Sequence, residues 1–159
     1  MQVVLFQPQI PQNTGNIVRT CKVTGNDLLL VKPLGFQTGD KELKRAGLDY
    51  WAGVDVSFTE DLEKLLSETS RPFYFFSSHA TKFYTEIPYS KDDLLIFGSE
   101  TSGLPPVFLK KWPELFFTLP MIKDSRCLNL ANTASIVLYE AWRQQGFCGW
   151  DNDSNHEGI

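Results

Sequence analysis

Short apolar runs alternate with helical segments along most of this chain, and this alternation constrains the fold more than any other sequence feature. Each run has four or five residues, the length of a buried strand, and is bounded by polar or Pro- and Gly-containing segments. Alternating strands and helices favour an α/β fold with a mainly parallel sheet and helices on both faces. The predicted strands are residues 3–6, 28–31, 54–58, 73–76, 94–97 and 115–119.

Four further segments are typical of helices. The first is expected to be capped by Asn13 or Thr14, a short one covers residues 41–47, and a third follows a cap at Thr59. The last covers residues 130–145, where apolar positions recur on one helical face. The sequence therefore predicts helices in the intervals that a parallel sheet needs for its crossovers.

Length and cysteine usage indicate the kind of protein. A chain of 159 residues favours one domain, here residues 1–150, and the polar residues 151–159 are expected to form a flexible tail. Cys21, Cys127 and Cys148 are too widely spaced for a disulfide framework or a metal site. We expect no signal peptide, no membrane span and no metal, and therefore a cytoplasmic protein.

The net charge of −4 argues, taken alone, against binding to nucleic acid. A net charge is a sum, however, and an RNA-binding face is local. A set of basic residues could supply such a face, with an ordinary solvated surface as the alternative: Lys41, Lys44, Arg45, Lys123 and Arg126.

Three loops rich in Gly, Asn, Ser and Pro follow predicted strands, at residues 7–16, 98–106 and 120–129. In open parallel sheets, ligands bind at loops that leave the carboxyl ends of strands. We therefore expect these three loops to lie together and to form the functional site.

The same three loops carry a family resemblance. Residues 11–19 (PQNTGNIVR), 97–105 (FGSETSGLP) and 119–132 (LPMIKDSRCLNLAN) resemble, in order, the three motifs of the SPOUT methyltransferases, in their tRNA- and rRNA-2′-O-methylating branch. The resemblance extends to about residue 148, with matching segments at 33–36, 45–50 and 139–143. It implies a trefoil knot in the C-terminal part of the fold, which the strand pattern does not predict.

The resemblance implies an activity and its partners. The branch that the chain resembles most transfers a methyl group from S-adenosylmethionine to the ribose 2′-hydroxyl of the wobble nucleotide, C34 or U34, of tRNA, and leaves S-adenosylhomocysteine. It implies binding of the anticodon stem-loop and a homodimer that packs near the knot. Tyr139 and Trp142 are candidates for that interface, with core packing as the alternative for Trp142.

Two alternatives remain open at this point. One is the same reaction on rRNA or at another tRNA position. The other is a non-enzymatic RNA-binding protein that kept the fold, and it would predict damaged donor loops. The three motifs are intact except at residue 127, where relatives usually carry Ser and this chain has Cys127.

The resemblance assigns residues to the methyl donor. Gly98 and Gly103 permit tight turns and a close approach of the backbone to a flat ligand, although ordinary turns need glycine too. If the usual Ser acts through its hydroxyl, Cys127 should impair the site, because a thiol is a weak hydrogen-bonding group. If it acts mainly through backbone contacts, Cys127 should substitute well. The residues expected against the donor are Phe76, Gly98, Gly103, Leu119, Met121 and Cys127.

Four residues are candidates for catalysis by the same resemblance. Asn16 and Arg19 are three positions apart on one helical face, and Arg19 suits phosphate binding and charge stabilisation better than proton abstraction. Glu100 is expected either to bind loop backbone or to meet the positively charged donor. Asn129 is expected to cap the last helix, to face the donor or ribose, or both. A solvated surface role is the alternative for Arg19 and Glu100.

Overall fold

Parallel strands form one sheet at the centre of the protein. The computed structural model describes residues 1–37 and 53–150. Its strands are β1 (Gln2–Phe6), β2 (Asp27–Val31), β3 (Val56–Thr59), β4 (Phe73–Phe76), β5 (Lys82–Phe83), β6 (Leu94–Phe97) and β7 (Phe116–Thr118). The order across the sheet is β3-β2-β1-β6-β4-β7-β5, and every neighbouring pair is parallel.

Helices connect the strands. They are α1 (Pro11–Thr24), α2 (Leu62–Glu68), α3 (Pro106–Lys111) and α4 (Leu130–Gln144), with short 3₁₀ turns at Tyr84–Glu86 and Pro113–Leu115.

Both faces of the central strands are buried, which explains why β1 and β6 contain continuous apolar runs rather than alternating patterns. Leu5 and Phe97 point into a core shared with Ile17 of α1 and with α4. Val4 and Ile96, their neighbours along the same strands, point into a second core shared with α2 and α3. The predicted class, a mainly parallel sheet with helices on both faces, is confirmed.

The strand order places the three loops together. Strands β6, β4 and β7 are neighbours in the sheet, and β1 lies next to β6. The segments that follow Phe6, Phe76, Phe97 and Thr118 therefore leave from the same edge of the sheet. Convergence of the predicted loops at the carboxyl ends of the strands is thereby confirmed. The strand order by itself does not establish the trefoil knot, which stays a prediction.

The expected helix caps were wrong in two places. Helix α1 begins at Pro11, whose missing amide hydrogen and preset φ suit the first helical position, so Asn13 lies inside the helix and no side chain of its own segment caps it. Helix α2 is capped by Asp61, whose carboxylate accepts from the amide of Lys64 at 2.9 Å. Thr59, the expected cap, instead accepts from the amide of Asp61 at 3.3 Å.

Two short elements were not predicted. Strand β5 has two residues, too few for a periodic signal, and α3 has six and starts in a Pro-rich segment. The predicted helix at 41–47, the basic residues within it, the matching segment at 45–50 and the tail at 151–159 lie outside the described residues. Within the two described ranges, no helix combines the length and apolar character that crossing a membrane requires.

Candidate active site

A cavity of about 520 Å³ lies at the carboxyl ends of β4, β6 and β7. Its size falls within the range of about 300–1,000 Å³ that small-molecule sites occupy. Its walls come from the segments at 76–79, 97–104, 118–121 and 127–133, with Ile10 and Asn13 at one side. The cavity is therefore built from all three predicted loops.

The residues expected against a methyl donor all line this cavity. Phe76 and Leu119 are buried side chains that form an apolar part of the wall, and the ring of Phe76 stacks on Phe97 with centroids 4.8 Å apart. Met121 and Cys127 are exposed side chains on the loop after β7. The complete set that the structure brings together is Phe76, Gly98, Gly103, Leu119, Met121 and Cys127.

Gly98 is required by the fold of its own loop. The amides of Ser99 and Gly103 each donate to the other residue's carbonyl, at 3.1 and 2.9 Å, so the loop doubles back on itself. A Cβ on Gly98 would lie 2.5 Å from the carbonyl carbon of Gly103 and 2.7 Å from the amide nitrogen of Leu104. Both are backbone atoms of the returning segment, so any side chain here would force the loop apart.

The carboxylate of Glu100 holds the start of α1. One oxygen accepts from the amide of Gln9 at 2.8 Å, and the other accepts from the amide of Ile10 at 3.2 Å and from the side-chain amide of Asn13 at 2.9 Å. A negative charge at a helix N-terminus is favourable because of the exposed amide groups there. Of the two roles expected for Glu100, binding loop backbone is the one the geometry supports, although the backbone belongs to the first motif.

Asn129 caps α4, as the sequence predicts. Its side-chain oxygen accepts from the amides of Ala131 at 2.8 Å and Asn132 at 3.4 Å. Its side-chain amide donates to the oxygen of Asn13 at 2.9 Å, and the residue lines the cavity. The capping role and a position in the site therefore hold together.

Asn13 is the site residue that the sequence analysis missed. It was considered only as a helix cap, yet its side chain is 5% exposed and uses both its nitrogen and its oxygen to bind other motifs. A signal was present, because Asn13 shares the buried face of α1 with Ile17 and Cys21. A polar residue on a buried helical face requires a hydrogen-bond partner from elsewhere in the fold.

Asn16 and Arg19 lie apart from the cavity of their own chain. Both are exposed residues of α1, and neither belongs to the cavity lining. Close to them, the hydroxyls of Thr20 and Ser135 lie 3.0 Å apart, where α1 packs on α4. Two of the four candidate catalytic residues therefore sit on an exposed helix face, while Glu100 and Asn129 sit at the cavity.

The cysteines differ sharply in their surroundings. Burial raises the pKa of the Cys21 thiol to about 12, so that this group stays protonated at any physiological pH. Cys127 is exposed at the cavity, and Cys148 is exposed after α4. His79, isolated in the sequence and given no role there, lies at the cavity rim. In the part of the chain that the structure describes, no group of three or more His, Cys, Asp or Glu side chains could hold a metal ion.

Known proteins are similar to this chain in sequence and architecture. The model of the SpoU rRNA Methylase family matches residues 1–139. A tRNA (cytidine(34)-2′-O)-methyltransferase from Yersinia pestis is 44% identical over 156 residues, which cover 94% of this chain and 96% of the relative.

Solved structures of methyltransferases are also similar to this chain. One, from a study of the 2′-OH methylation of C/U34 on tRNA, superimposes with a TM-score of 0.83 and 38% identity, covering 92% of this chain and 96% of that one. An AdoMet-bound rRNA methyltransferase from Sinorhizobium meliloti has a TM-score of 0.78 and 27% identity, covering 89% of this chain and 55% of that one. Sequence, strand order and site together lead to one conclusion: this chain belongs to the SpoU methylase family and has the fold of the SPOUT methyltransferases.

Proposed function

We propose that this chain is an S-adenosylmethionine-dependent methyltransferase that modifies the ribose 2′-hydroxyl of nucleotide 34, C or U, in tRNA. The observation that carries the proposal is the cavity formed by the loops after β4, β6 and β7, lined by all six residues assigned to the donor. The substrate is supported by the Yersinia relative, a tRNA (cytidine(34)-2′-O)-methyltransferase matched over nearly its full length. The activity would place the protein in the cytoplasm, with its tRNA.

The cavity suits S-adenosylmethionine by shape and chemistry. Phe76 and Leu119 offer an apolar wall for a flat base, and no atom lies within 4 Å of the position that a Cβ on Gly103 would occupy, which leaves space beside that backbone. Hydroxyl and amide groups of the surrounding loops can bind the polar ends of the donor. When bound, the donor supplies an electrophilic methyl group on a positively charged sulfur. The AdoMet-bound Sinorhizobium structure, 27% identical, supports this assignment.

The chain's own residues must orient the ribose and manage its proton. In the transfer, the methyl carbon would exchange its bond to sulfur for a bond to the 2′-oxygen, S-adenosylhomocysteine would be left, and the 2′-hydroxyl proton would pass to solvent water. We assign Arg19 and Asn16 to the RNA side of the reaction, where a guanidinium can bind a phosphate through paired hydrogen bonds and stabilise the developing charge. A guanidinium offers hydrogen-bond donors and no acceptor, so we assign Arg19 to positioning and charge stabilisation rather than to accepting the proton.

The position of Arg19 supports a homodimer with composite sites. That residue lies on an exposed face outside the cavity of its own chain, so a second subunit is the direct way to bring it to a donor. The packed pair α1 and α4 also exposes large apolar side chains: Val23 at 59%, Ile136 at 39% and Tyr139 at 46%. These would be covered in a two-fold contact between such helix pairs, which would also place two sets of basic residues on one assembly.

The test is methyl transfer from labelled S-adenosylmethionine to tRNA transcripts. Parallel transcripts carry C34, U34 or a 2′-deoxy nucleotide at position 34, and all assays contain excess chelator because we propose no metal. We expect transfer to C34 or U34 and none to the 2′-deoxy control, with nucleoside mass spectrometry identifying the product. Methylation of the 2′-deoxy transcript, or of rRNA fragments alone, would place the substrate elsewhere. Absence of transfer to any RNA by protein that binds the donor would favour the non-enzymatic alternative.

A further inference from the structure

We propose that Asn13 is a positioning residue that fixes the two donor loops after β6 and β7 against α1. It does so through the side-chain hydrogen bonds that join Glu100, Asn13 and Asn129, which we call the amide relay. The inference rests on the proposed function, because it concerns how that site is held together. The relay joins the three motifs directly, since Asn13 is separated from Glu100 by 87 residues and from Asn129 by 116.

The direction of every hydrogen bond in the relay is dictated by chemistry. A carboxylate oxygen accepts hydrogen bonds, so the nitrogen of the Asn13 side chain faces Glu100, at 2.9 Å. The oxygen of Asn13 must then face Asn129 and accepts from its nitrogen at 2.9 Å. That leaves the oxygen of Asn129 for the backbone amide of Ala131, at 2.8 Å. Neither amide can flip without setting donor against donor or acceptor against acceptor.

The relay secures the first turns of two helices at once. Helix α1 has no capping side chain of its own, and Glu100 takes that place from the loop after β6. Helix α4 is capped by Asn129 from the loop after β7. Asn13 lies between these caps, inside the first turn of α1, so a shift of either donor loop relative to α1 breaks one of its two bonds.

The consequence concerns Arg19, which lies six residues beyond Asn13 on the same helix. Six residues of α-helix span about 9 Å, so α1 is a short rigid connection between the two positions. The relay therefore fixes the position of the donor loops relative to the helix that carries Arg19. Reaction geometry is sensitive to displacements of about 1 Å, which is the kind of shift that loss of these bonds would permit.

The first experiment compares two buried asparagines of equal exposure. Asn13 and Asn26 are both 5% exposed, and the Asn26 side chain binds its neighbour Thr24, at the far end of α1. We expect Asn13→Ala to weaken S-adenosylmethionine binding about tenfold, as measured by calorimetry. It should also lower kcat by a larger factor than it raises KM for tRNA. Asn26→Ala should lower the melting temperature about as much as Asn13→Ala does, but it should leave donor affinity and kcat within about twofold of the wild-type values. Equal donor binding in the two variants would overturn the proposal.

The second experiment tests the bond between Asn13 and Glu100 by exchanging its two partners. Asn13→Asp sets two carboxylates against each other, and we expect donor affinity to fall about tenfold or more. Adding Glu100→Gln supplies an amide donor to the new carboxylate and restores the bond in the reverse direction. The carboxylate at position 13 can still accept from Asn129, and the amide oxygen at position 100 can still accept from one backbone amide of the first motif.

The double variant decides between coupling and independent effects. We expect Asn13→Asp/Glu100→Gln to bind the donor at least about threefold more tightly than Asn13→Asp alone, a coupling that residues in one network show. Ser70→Asp adds the same charge before β4, at the opposite edge of the sheet, and should leave donor affinity unchanged. A double variant no better than Asn13→Asp would overturn the relay. If wild-type protein binds the donor but methylates no tRNA, the proposed substrate fails, while donor affinity still judges the relay.

Discussion

The side-chain amide of Asn129 donates to the side-chain oxygen of Asn13 at 2.9 Å, across 116 residues of sequence. This contact brings the start of α4 against the start of α1, beside the cavity that the donor loops form. A helix that carries candidate RNA-binding residues is thereby attached to the loops that would hold the methyl donor.

Arg19→Ala should abolish methyl transfer and leave donor affinity unchanged. Arg19 is exposed on α1 and lies outside the cavity lining, so its loss leaves the donor-binding surface of the chain intact. We expect kcat/KM for tRNA to fall by about 100-fold or more, the size typical of losing a charged group that acts in the transition state. Single-turnover kinetics and calorimetry measure the two quantities. Lys64→Ala, an exposed change on α2, is the control, and near-normal turnover of Arg19→Ala would refute the assigned role.

Mixing two inactive variants should restore partial activity. Arg19→Ala lacks the RNA-side group, while Cys127→Trp would block the donor cavity with a bulky side chain and leaves the amide relay untouched. If α1 of one subunit serves the cavity of its partner, some heterodimers hold one intact site. Activity is measured after subunit exchange verified by native mass spectrometry. Verified exchange without any recovery would mean that each site lies within one subunit.

Gly98→Ala should disrupt the donor loop. The added Cβ would lie 2.5 Å from the carbonyl carbon of Gly103, a backbone atom that can only yield if the loop opens. We expect the free energy of unfolding to fall by about 1–3 kcal/mol, which is the usual cost of overpacking. Donor binding should weaken by more than partial unfolding of the variant would explain. Denaturant unfolding and calorimetry measure these effects. Ser70→Ala, at an exposed position outside the cavity lining, should change neither, and normal donor binding by Gly98→Ala would show that the loop tolerates opening.

Cys127→Ser should be well tolerated. Cys127 is exposed at the cavity, so exchanging sulfur for oxygen removes no buried packing and supplies a stronger hydrogen-bonding group. We expect donor affinity within about threefold of wild type, since the gain from one hydroxyl against solvent is modest. Calorimetry with S-adenosylmethionine measures it. A loss of affinity of about tenfold or more would mean that the cavity has adapted to the sulfur atom.

Alkylation should distinguish the three cysteines. At pH 8, Cys148 should react with iodoacetamide whether or not the donor is present, because it is exposed and lies outside the cavity. Cys127 should react in the free protein and be protected by S-adenosylmethionine. Cys21 should stay unmodified, since burial raises its pKa to about 12 and excludes the reagent. Peptide mass spectrometry measures all three sites, and unprotected Cys127 at saturating donor would place the donor elsewhere.

The local sequence pattern predicted six of the seven strands that the structure describes. Continuous apolar runs such as residues 3–6 and 94–97 predict strands buried on both faces, because burial on two faces removes any reason for alternation. The final helix was predicted to within one residue, since its apolar stripe and its cap at Asn129 are both local. Strand β5 and helix α3 were not predicted, because segments of two and six residues are too short to show a periodic pattern.

The site was only partly accessible from the sequence. The three loops and the residues that line the cavity were predicted, since loop composition and motif order are properties of the linear chain. Only the tertiary structure decided that Glu100 caps α1 from a separate motif, that Asn13 lies buried between Glu100 and Asn129, and that Arg19 lies outside the cavity of its own chain. The physical reason is that a hydrogen-bond partner is chosen by proximity in the folded chain, and no spacing of residues along the sequence encodes a contact made across 87 or 116 positions.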